Sequence, residues 1–249
     1  MASVVSFLRL AVGFVLVAVL GVLAIVIALP LLPWRTGRIK LCNVYGKIIG
    51  RAVTFLAGAR PHIAHRERLD ASMPAIYVAN HTSTLDAFLS IWLCPMGGCG
   101  VFKKEITRIP FFGWLLLLSG HIRLNRSDRQ GAVAALAETA AFVRDRKLGI
   151  WIMPEGTRSK DGRLLPFKKG FVHLAIATGF PVVPVVFHGA YRNWEKHTFR
   201  FVPMDLDIEV LEPVDTSMWR EDTAGAHADQ VQRLFAAALR ADQKPLPLP

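Results

Sequence analysis

An imidazole and a carboxylate stand five positions apart at His81 and Asp86, in the run Asn80-His81-Thr82-Ser83-Thr84-Leu85-Asp86. On one helix that spacing does not bring two side chains face to face. If His81 ends a strand and Asp86 lies in the first turn of the next helix, the bend between them does. A carboxylate on one imidazole nitrogen fixes the tautomer. It also steadies the imidazolium formed when the other nitrogen takes a proton. Such a pair is a general base for an alcohol, worth about 10²–10⁴-fold in rate. The same residues admit a plainer role. Ser83-x-x-Asp86 reads as a capping box, with Asp86 closing a helix end and His81 an ordinary strand-end histidine. Spacing alone leaves both readings open.

A second polar cluster occurs at Pro154-Glu155-Gly156-Thr157-Arg158-Ser159, with Asp161-Gly162 behind it. Its composition is that of a turn-rich loop. Gly156 nevertheless permits close backbone approach, and Arg158 offers a two-pronged grip on phosphate. Lys103, Lys104, Arg123, Arg126, Lys168 and Lys169 add positive charge, each also readable as a solvated surface residue. The chain has no Gly-x-Ser-x-Gly elbow, Walker loop, His-Glu-x-x-His or Gly-x-Gly-x-x-Gly. This pattern favours a reaction without covalent nucleophile, nucleotide, cofactor or metal. Transfer from an activated thioester to a hydroxyl is one. It needs orientation, a proton acceptor and oxyanion stabilisation.

The elements that must position these groups alternate. Residues 75–79, 100–102, 121–124, 149–153 and 182–187 read as strands, and 199–211 as a strand or hairpin. Residues 83–93, 111–118, 128–147, 170–178 and 224–241 read as helices, with a Pro-rich tail after them. This predicts an α/β fold with a largely parallel mixed sheet flanked by helices. In such sheets chemistry gathers at the carboxyl ends of the strands. Asn80-His81, Lys103-Lys104-Glu105 and the 154–158 loop all fall there.

The first 59 residues predict membrane-anchoring helices, and residues 60–249 the catalytic domain. No charge occurs from Ala11 to Leu32, a run about 33 Å long as helix. Pro30, Pro33 and Trp34 mark its end, and Arg35, Arg38 and Lys40 come directly after. The positive-inside rule then places the catalytic part on the cytoplasmic side of the inner membrane. A cleaved signal peptide or a buried core helix are the competing readings. Within residues 36–58, Thr36, Lys40, Asn43, Lys47, Arg51 and Thr54 alternate with an apolar stripe of Leu41, Val44, Ile48, Ala52 and Phe55. This suits an amphipathic helix on anionic lipid, or a core helix with solvated lysines.

The 249 residues carry a net charge of +11 and 52% hydrophobic residues. No recognisable nucleic-acid module accompanies that charge, so membrane phosphates are the expected attraction. Cys42, Cys94 and Cys99 have no metal spacing and no paired framework, as in a reducing cytosol.

Four blocks, taken together, resemble the glycerolipid acyltransferases, and among them the bacterial 1-acyl-glycerol-3-phosphate acyltransferases. They are Asn80-His81-Thr82-Ser83-Thr84-Leu85-Asp86; Lys103-Lys104-Glu105 through Pro110-Phe111-Phe112-Gly113-Trp114 to Arg123-Leu124-Asn125-Arg126; Pro154-Glu155-Gly156-Thr157-Arg158-Ser159 with Phe167-Lys168-Lys169-Gly170; and Val183-Pro184-Val185. They span about residues 75–190 in the family's order. The resemblance implies that His81 deprotonates the acceptor hydroxyl, oriented by Asp86. The hydroxyl attacks the thioester of acyl-CoA or acyl-carrier protein. Lys104 and Arg158, with Arg123, hold the acceptor phosphate. Glu155, Gly156 and Thr157 belong to the acceptor site, the Gly156 region also serving the oxyanion. The implied reaction is acylation of the sn-2 hydroxyl of 1-acyl-glycerol-3-phosphate to phosphatidic acid, with membrane phospholipid and lysophospholipid as partners. Alternatives are another lyso-acceptor, such as lyso-ornithine lipid or a headgroup-bearing lysophospholipid, or an inactive membrane lipid-binding protein. In the family the N-terminal helices can enter one leaflet without crossing. Thr82 and Thr84 stand where the family often has glutamine and tryptophan, which leaves acceptor choice open.

Overall fold

The computed structural model describes residues 2–124, 138–195 and 198–245, with backbone alone at 2, 3, 103–105, 112, 123 and 124. Among the described residues seven strands form one sheet: β1 (Ala59–Ala64), β2 (Ile76–Ala79), β3 (Gly98–Lys103), β4 (Ile122–Leu124), β5 (Gly149–Ile152), β6 (Val182–Phe187) and β7 (Met204–Val210). Their order is β1-β7-β6-β2-β5-β3-β4, parallel throughout except between β6 and β7. The mixed, largely parallel sheet expected from the alternation is therefore present. β2 and β6 are buried along their whole length, as strands covered on both faces must be. Residues 199–211 contribute one strand, β7, and no hairpin.

Side-chain alternation sorts the core into two clusters. Tyr77, Ala79, Trp151, Val183, Val185 and Phe187 face α2 (Arg35–Leu56) and α4 (Leu85–Leu93). Ile76, Val78, Ile150, Val182 and Val186 face α7 (Gly170–Thr178), α9 (Ala224–Ala238) and the helical residues 138–145, labelled α6. Shorter helices are α3 (Glu67–Ala71), α5 (Phe112–Leu118) and α8 (Ala190–Asn193). The predicted helix 128–147 is described only from 138 onward; its earlier part, with Asn125 and Arg126, lies outside the described residues.

The helix α2 uses two faces. Ile39, Cys42, Asn43, Gly46, Ile49, Gly50 and Val53 are buried, and Gly46 and Gly50 let its backbone approach α4. A Cβ on Gly50 would sit 2.3 Å from the Phe88 carbonyl oxygen. Asn43 is satisfied by the ends of β3, donating to Gly98 O at 2.9 Å and accepting from Gly97 N at 2.8 Å. Val44, Ile48 and Phe55 of the apolar stripe point outward with Lys40 and Arg51. The helix does pack in the core, but not through the stripe read from the sequence: Val44, Ile48 and Phe55 face outward, and Asn43 and Thr54, counted on the polar face, are buried.

The long apolar helix α1 (Ala2–Ala28) lies along this assembly. Its inner face is built of small residues, Ser6, Gly13, Gly21, Ala24 and Ala28. Tyr45 donates to Val17 O at 3.1 Å, and Phe201 N donates to Ser6 Oγ at 3.2 Å. The outer face exposes Phe7, Val12, Phe14, Val15, Val19, Val22 and Val26. Arg35 and Arg38, read as topology signals, donate to Gly120 O at 2.9 Å and Leu118 O at 2.5 Å. They thereby satisfy carbonyls at the end of α5, as cations at a helix C-terminus do.

Candidate active site

The strand β2 ends at Ala79, and Asn80 fixes the turn beyond it. Its side chain donates to Phe187 O at 3.0 Å and accepts from Phe187 N at 2.8 Å, locking the turn to the end of β6. The chain then bends through residues 81–84 into α4. Across that bend His81 Nδ1 lies 3.1 Å from Asp86 Oδ2. The same oxygen accepts from Thr82 N and Ser83 N, both at 2.6 Å. Ser83 Oγ accepts from Leu85 N at 3.1 Å and donates to Trp194 O at 2.8 Å. The helix-cap reading and the paired-imidazole reading thus meet in one carboxylate oxygen. An ionised carboxylate only accepts, so Nδ1 carries the imidazole proton and Nε2 is the basic nitrogen. The Asp86 side chain has no solvent exposure, whereas His81 is 19% exposed. The imidazole reaches the surface and the carboxylate does not.

The loop after β5 clasps the His81 peptide from both sides. Glu155 Oε1 accepts from His81 N at 2.7 Å, and Ser159 N donates to His81 O at 3.0 Å. Glu155 Oε2 accepts from Leu165 N at 3.2 Å. Burial pushes the Glu155 carboxyl up to about 8; the two backbone donors pull it down only partly, and the Asp86 charge pushes it further up. Gly156 has φ +72°, a conformation that favours glycine, and its N–H donates to Met153 O at 3.1 Å. That N–H closes the turn, so it is committed within the loop. Thr157 is exposed, and Arg158 Nη1 donates to Thr84 Oγ1.

The family model described as Acyltransferase matches residues 60–188, a span that holds His81, Asp86, Glu155 and Arg158. The chain belongs to the Acyltransferase family. The 1-acyl-sn-glycerol-3-phosphate acyltransferase of Limnanthes alba is 40% identical to it over 97% of this chain and 85% of that protein. The protein of that name from Escherichia coli K12 is 36% identical, over 74% of each chain. The crystal structure of the 1-acyl-sn-glycerophosphate (LPA) acyltransferase PlsC from Thermotoga maritima shares the fold. Its TM-score is 0.74 at 23% identity, over 94% of this chain and 95% of that one.

In this acyltransferase the remaining predicted residues sort by strand. Lys104 opens the 3₁₀ turn after β3, and Arg123 lies in β4 opposite Phe102. Both side chains lie outside the described set. Since β2, β5, β3 and β4 are parallel neighbours, both residues lie on or just past strands whose carboxyl ends share the sheet edge of His81 and Glu155. Two cavities lie elsewhere. One of about 330 Å³ is lined by Arg35, Phe102, His121 and Thr139 among others, and a wider groove by His62, His188, Asp207 and Glu209. Neither is lined by His81, Asp86 or Arg158.

Sequence reasoning missed several supports. Gln243 is buried near the chain's end. Its Oε1 accepts from Gly189 N at 2.8 Å, and its carbonyl accepts from Leu164 N at 2.9 Å. The C-terminal segment therefore braces the loop that carries Glu155 and Arg158. Nothing in the pattern of residues 241–245 signals this. Trp194 stacks on Phe88 with centroids 6.0 Å apart and holds Ser83 through its carbonyl.

Proposed function

We propose that this chain transfers a fatty acyl group from acyl-CoA or acyl-carrier protein to the sn-2 hydroxyl of 1-acyl-glycerol-3-phosphate, giving phosphatidic acid. The observation that carries the reading is the His81 Nδ1–Asp86 Oδ2 contact with Arg158 secured beside it. The names of the relatives point to the same acceptor. His81 Nε2 takes the hydroxyl proton as the oxygen attacks the thioester carbonyl. The tetrahedral intermediate then collapses, the C–S bond breaks, and the imidazolium returns its proton to the leaving thiolate. Asp86 holds the imidazole and stabilises its cation. Arg158, Lys104 and Arg123 hold the phosphate, while Glu155, Gly156 and Thr157 shape the acceptor site. The activated thioester supplies the driving force, so no step draws on a metal or cofactor.

Membrane association fits the same reading. The apolar outer face of α1 and Trp34 are exposed, and little of the apolar stretch Val4–Ala28 is buried. Because α1 packs against α2 and α5, with Ser6 meeting Phe201 and Val17 meeting Tyr45, its outer face enters one leaflet of the inner membrane from the cytoplasmic side with the domain lying against it. The test is an acyl-transfer assay with purified protein, a panel of lyso-acceptors and both donor types, alongside His81→Ala. We expect a preference for the phosphate monoester and loss of turnover in the variant. Undiminished turnover in His81→Ala would sink the mechanism, and preference for an acceptor without a phosphate monoester would sink the substrate assignment.

A further inference from the structure

We propose that Thr84 is a positioning residue that aims the Arg158 guanidinium at the anionic group of the lyso-acceptor. This deepens the proposed function and rests on it. Thr84 occupies the N-cap position of α4, where threonine ordinarily spends its hydroxyl on a first-turn N–H. Here it makes no such bond. Ser83 does that work, its Oγ accepting from Leu85 N, while Asp86 Oδ2 takes Thr82 N and Ser83 N just before the helix. The Thr84 hydroxyl is released from capping and instead accepts from Arg158 Nη1.

The two loops are already tied through the His81 peptide, by Glu155 on one side and Ser159 on the other. Those bonds fix backbone. They leave the long Arg158 side chain free to turn about its own bonds, which is costly to order on binding. A hydroxyl three residues from His81 ends that freedom on the side where the acceptor must lie. It is also a neutral partner. Among the described residues no carboxylate pairs with Arg158, although the arginines at 60, 68, 144, 163, 192, 220 and 240 all have one. The charge is therefore held in place without being cancelled. A hydroxyl that accepts from arginine also keeps its own O–H, a second donor beside the guanidinium. Both residues are half-buried, within reach of a ligand.

The test measures steady-state kinetics and equilibrium binding of lysophosphatidic acid for the full chain and for Thr84→Val, Thr84→Ser, Arg158→Ala and Thr84→Val/Arg158→Ala. Losing a hydrogen bond to a charged group should raise the acceptor KM and Kd about tenfold in Thr84→Val, with kcat within about twofold. The KM for the acyl donor should not move. Thr84→Ser should stay within about threefold of the parent. In the Arg158→Ala background Thr84→Val should add no further loss, because both changes remove one interaction. An unchanged acceptor KM and Kd in Thr84→Val would overturn the proposal. So would a fall in kcat that serine does not rescue, or additive losses in the double variant. A parent chain that binds lysophosphatidic acid without acylating it would sink the functional reading alone, and the Kd series would still decide the role of Thr84.

Discussion

Replacing Asp86 with asparagine separates the charge of this carboxylate from its geometry. All three of its contacts converge on Oδ2, at 3.1 Å from His81 Nδ1 and 2.6 Å from Thr82 N and Ser83 N. Oδ1 is buried and makes no hydrogen bond among the described residues. Asparagine can set its amide oxygen at the Oδ2 position and keep every donor, with its NH₂ in the place of Oδ1. What disappears is the negative charge. Two unit charges about 4 Å apart attract by about 4 kcal/mol at an effective dielectric near 20. The neutral imidazole does not feel that attraction and the imidazolium does, so it favours the transition state over the ground state. With proton transfer part-way complete, the expected loss is about 10²–10³-fold in kcat. Initial rates with saturating lysophosphatidic acid and acyl-CoA measure it, with a thermal melt to monitor the fold. Asp86→Ala should lose a similar rate and also lower the melting temperature, because two backbone donors lose their acceptor. An asparagine variant with more than a tenth of the parent kcat would refute the charge role. Equal losses of melting temperature in both variants would show that capping, not charge, is the purpose of the contact.

Glu155→Gln should change how stability depends on pH. The folded carboxyl holds its proton up to about 8, whereas the unfolded one loses it near 4.5, so the parent loses stability as pH rises through that window. The ceiling is about 5 kcal/mol, and the glutamine variant should lack the slope. Urea unfolding at pH 5, 7 and 8.5 measures it, and parallel curves would contradict the assignment. Gly50→Ala should destabilise by about 1–3 kcal/mol, since its Cβ would meet Phe88 O at 2.3 Å and Trp92 Cβ at 2.8 Å. Gly46→Ala, with its nearest neighbour at 3.0 Å, should be much milder because helix propensity offsets the contact. Melting temperatures in the reverse order would mean that α2 and α4 pack differently. Val15→Lys/Val22→Lys, both on the outer face of α1, should reduce co-sedimentation with anionic vesicles at least tenfold while leaving the melt unchanged. Equal vesicle binding would remove α1 from the membrane contact.

The legible parts of the fold were those where burial on both faces wrote an apolar run into the sequence. Ile76–Ala79 and Val182–Phe187 are of this kind. β1 was not legible, because Ala59-Arg60-Pro61-His62-Ile63-Ala64 is an edge strand with one neighbour, where proline and charge are tolerated. The core face of α2 was hidden for a different reason. It carries Gly46, Gly50 and Asn43, selected for close approach and hydrogen bonding, whereas the conspicuous apolar residues Val44, Ile48 and Phe55 face outward. At the site, strand ends placed Asn80-His81 and the 154–158 loop together, as the structure has them. Sequence could not say that the Thr84 hydroxyl serves Arg158 instead of the helix, because both uses are open to a threonine at an N-cap. The brace from Gln243 depends on where the chain returns after α9, which no local pattern encodes.

The five-residue interval between His81 and Asp86 has a physical reason that neither the cap nor the paired imidazole supplies alone. The turn from strand to helix leaves backbone N–H groups without helical partners. Those of Thr82 and Ser83 point at the place a first-turn carboxylate occupies, and Asp86 takes both on one oxygen. That oxygen cannot shift without uncapping α4, so its position is set by the stability of the helix. The His81 peptide is fixed independently, through Glu155 and Ser159 on the neighbouring loop. The imidazole therefore meets a carboxylate held by one structural constraint while its own backbone is held by another. The orientation of the pair is settled by the fold, so little reorganisation is left for the proposed proton-transfer step. Capping and the proposed proton transfer are not rival explanations of Asp86 here, because the cap is what makes the carboxylate a fixed partner for the His81 imidazole.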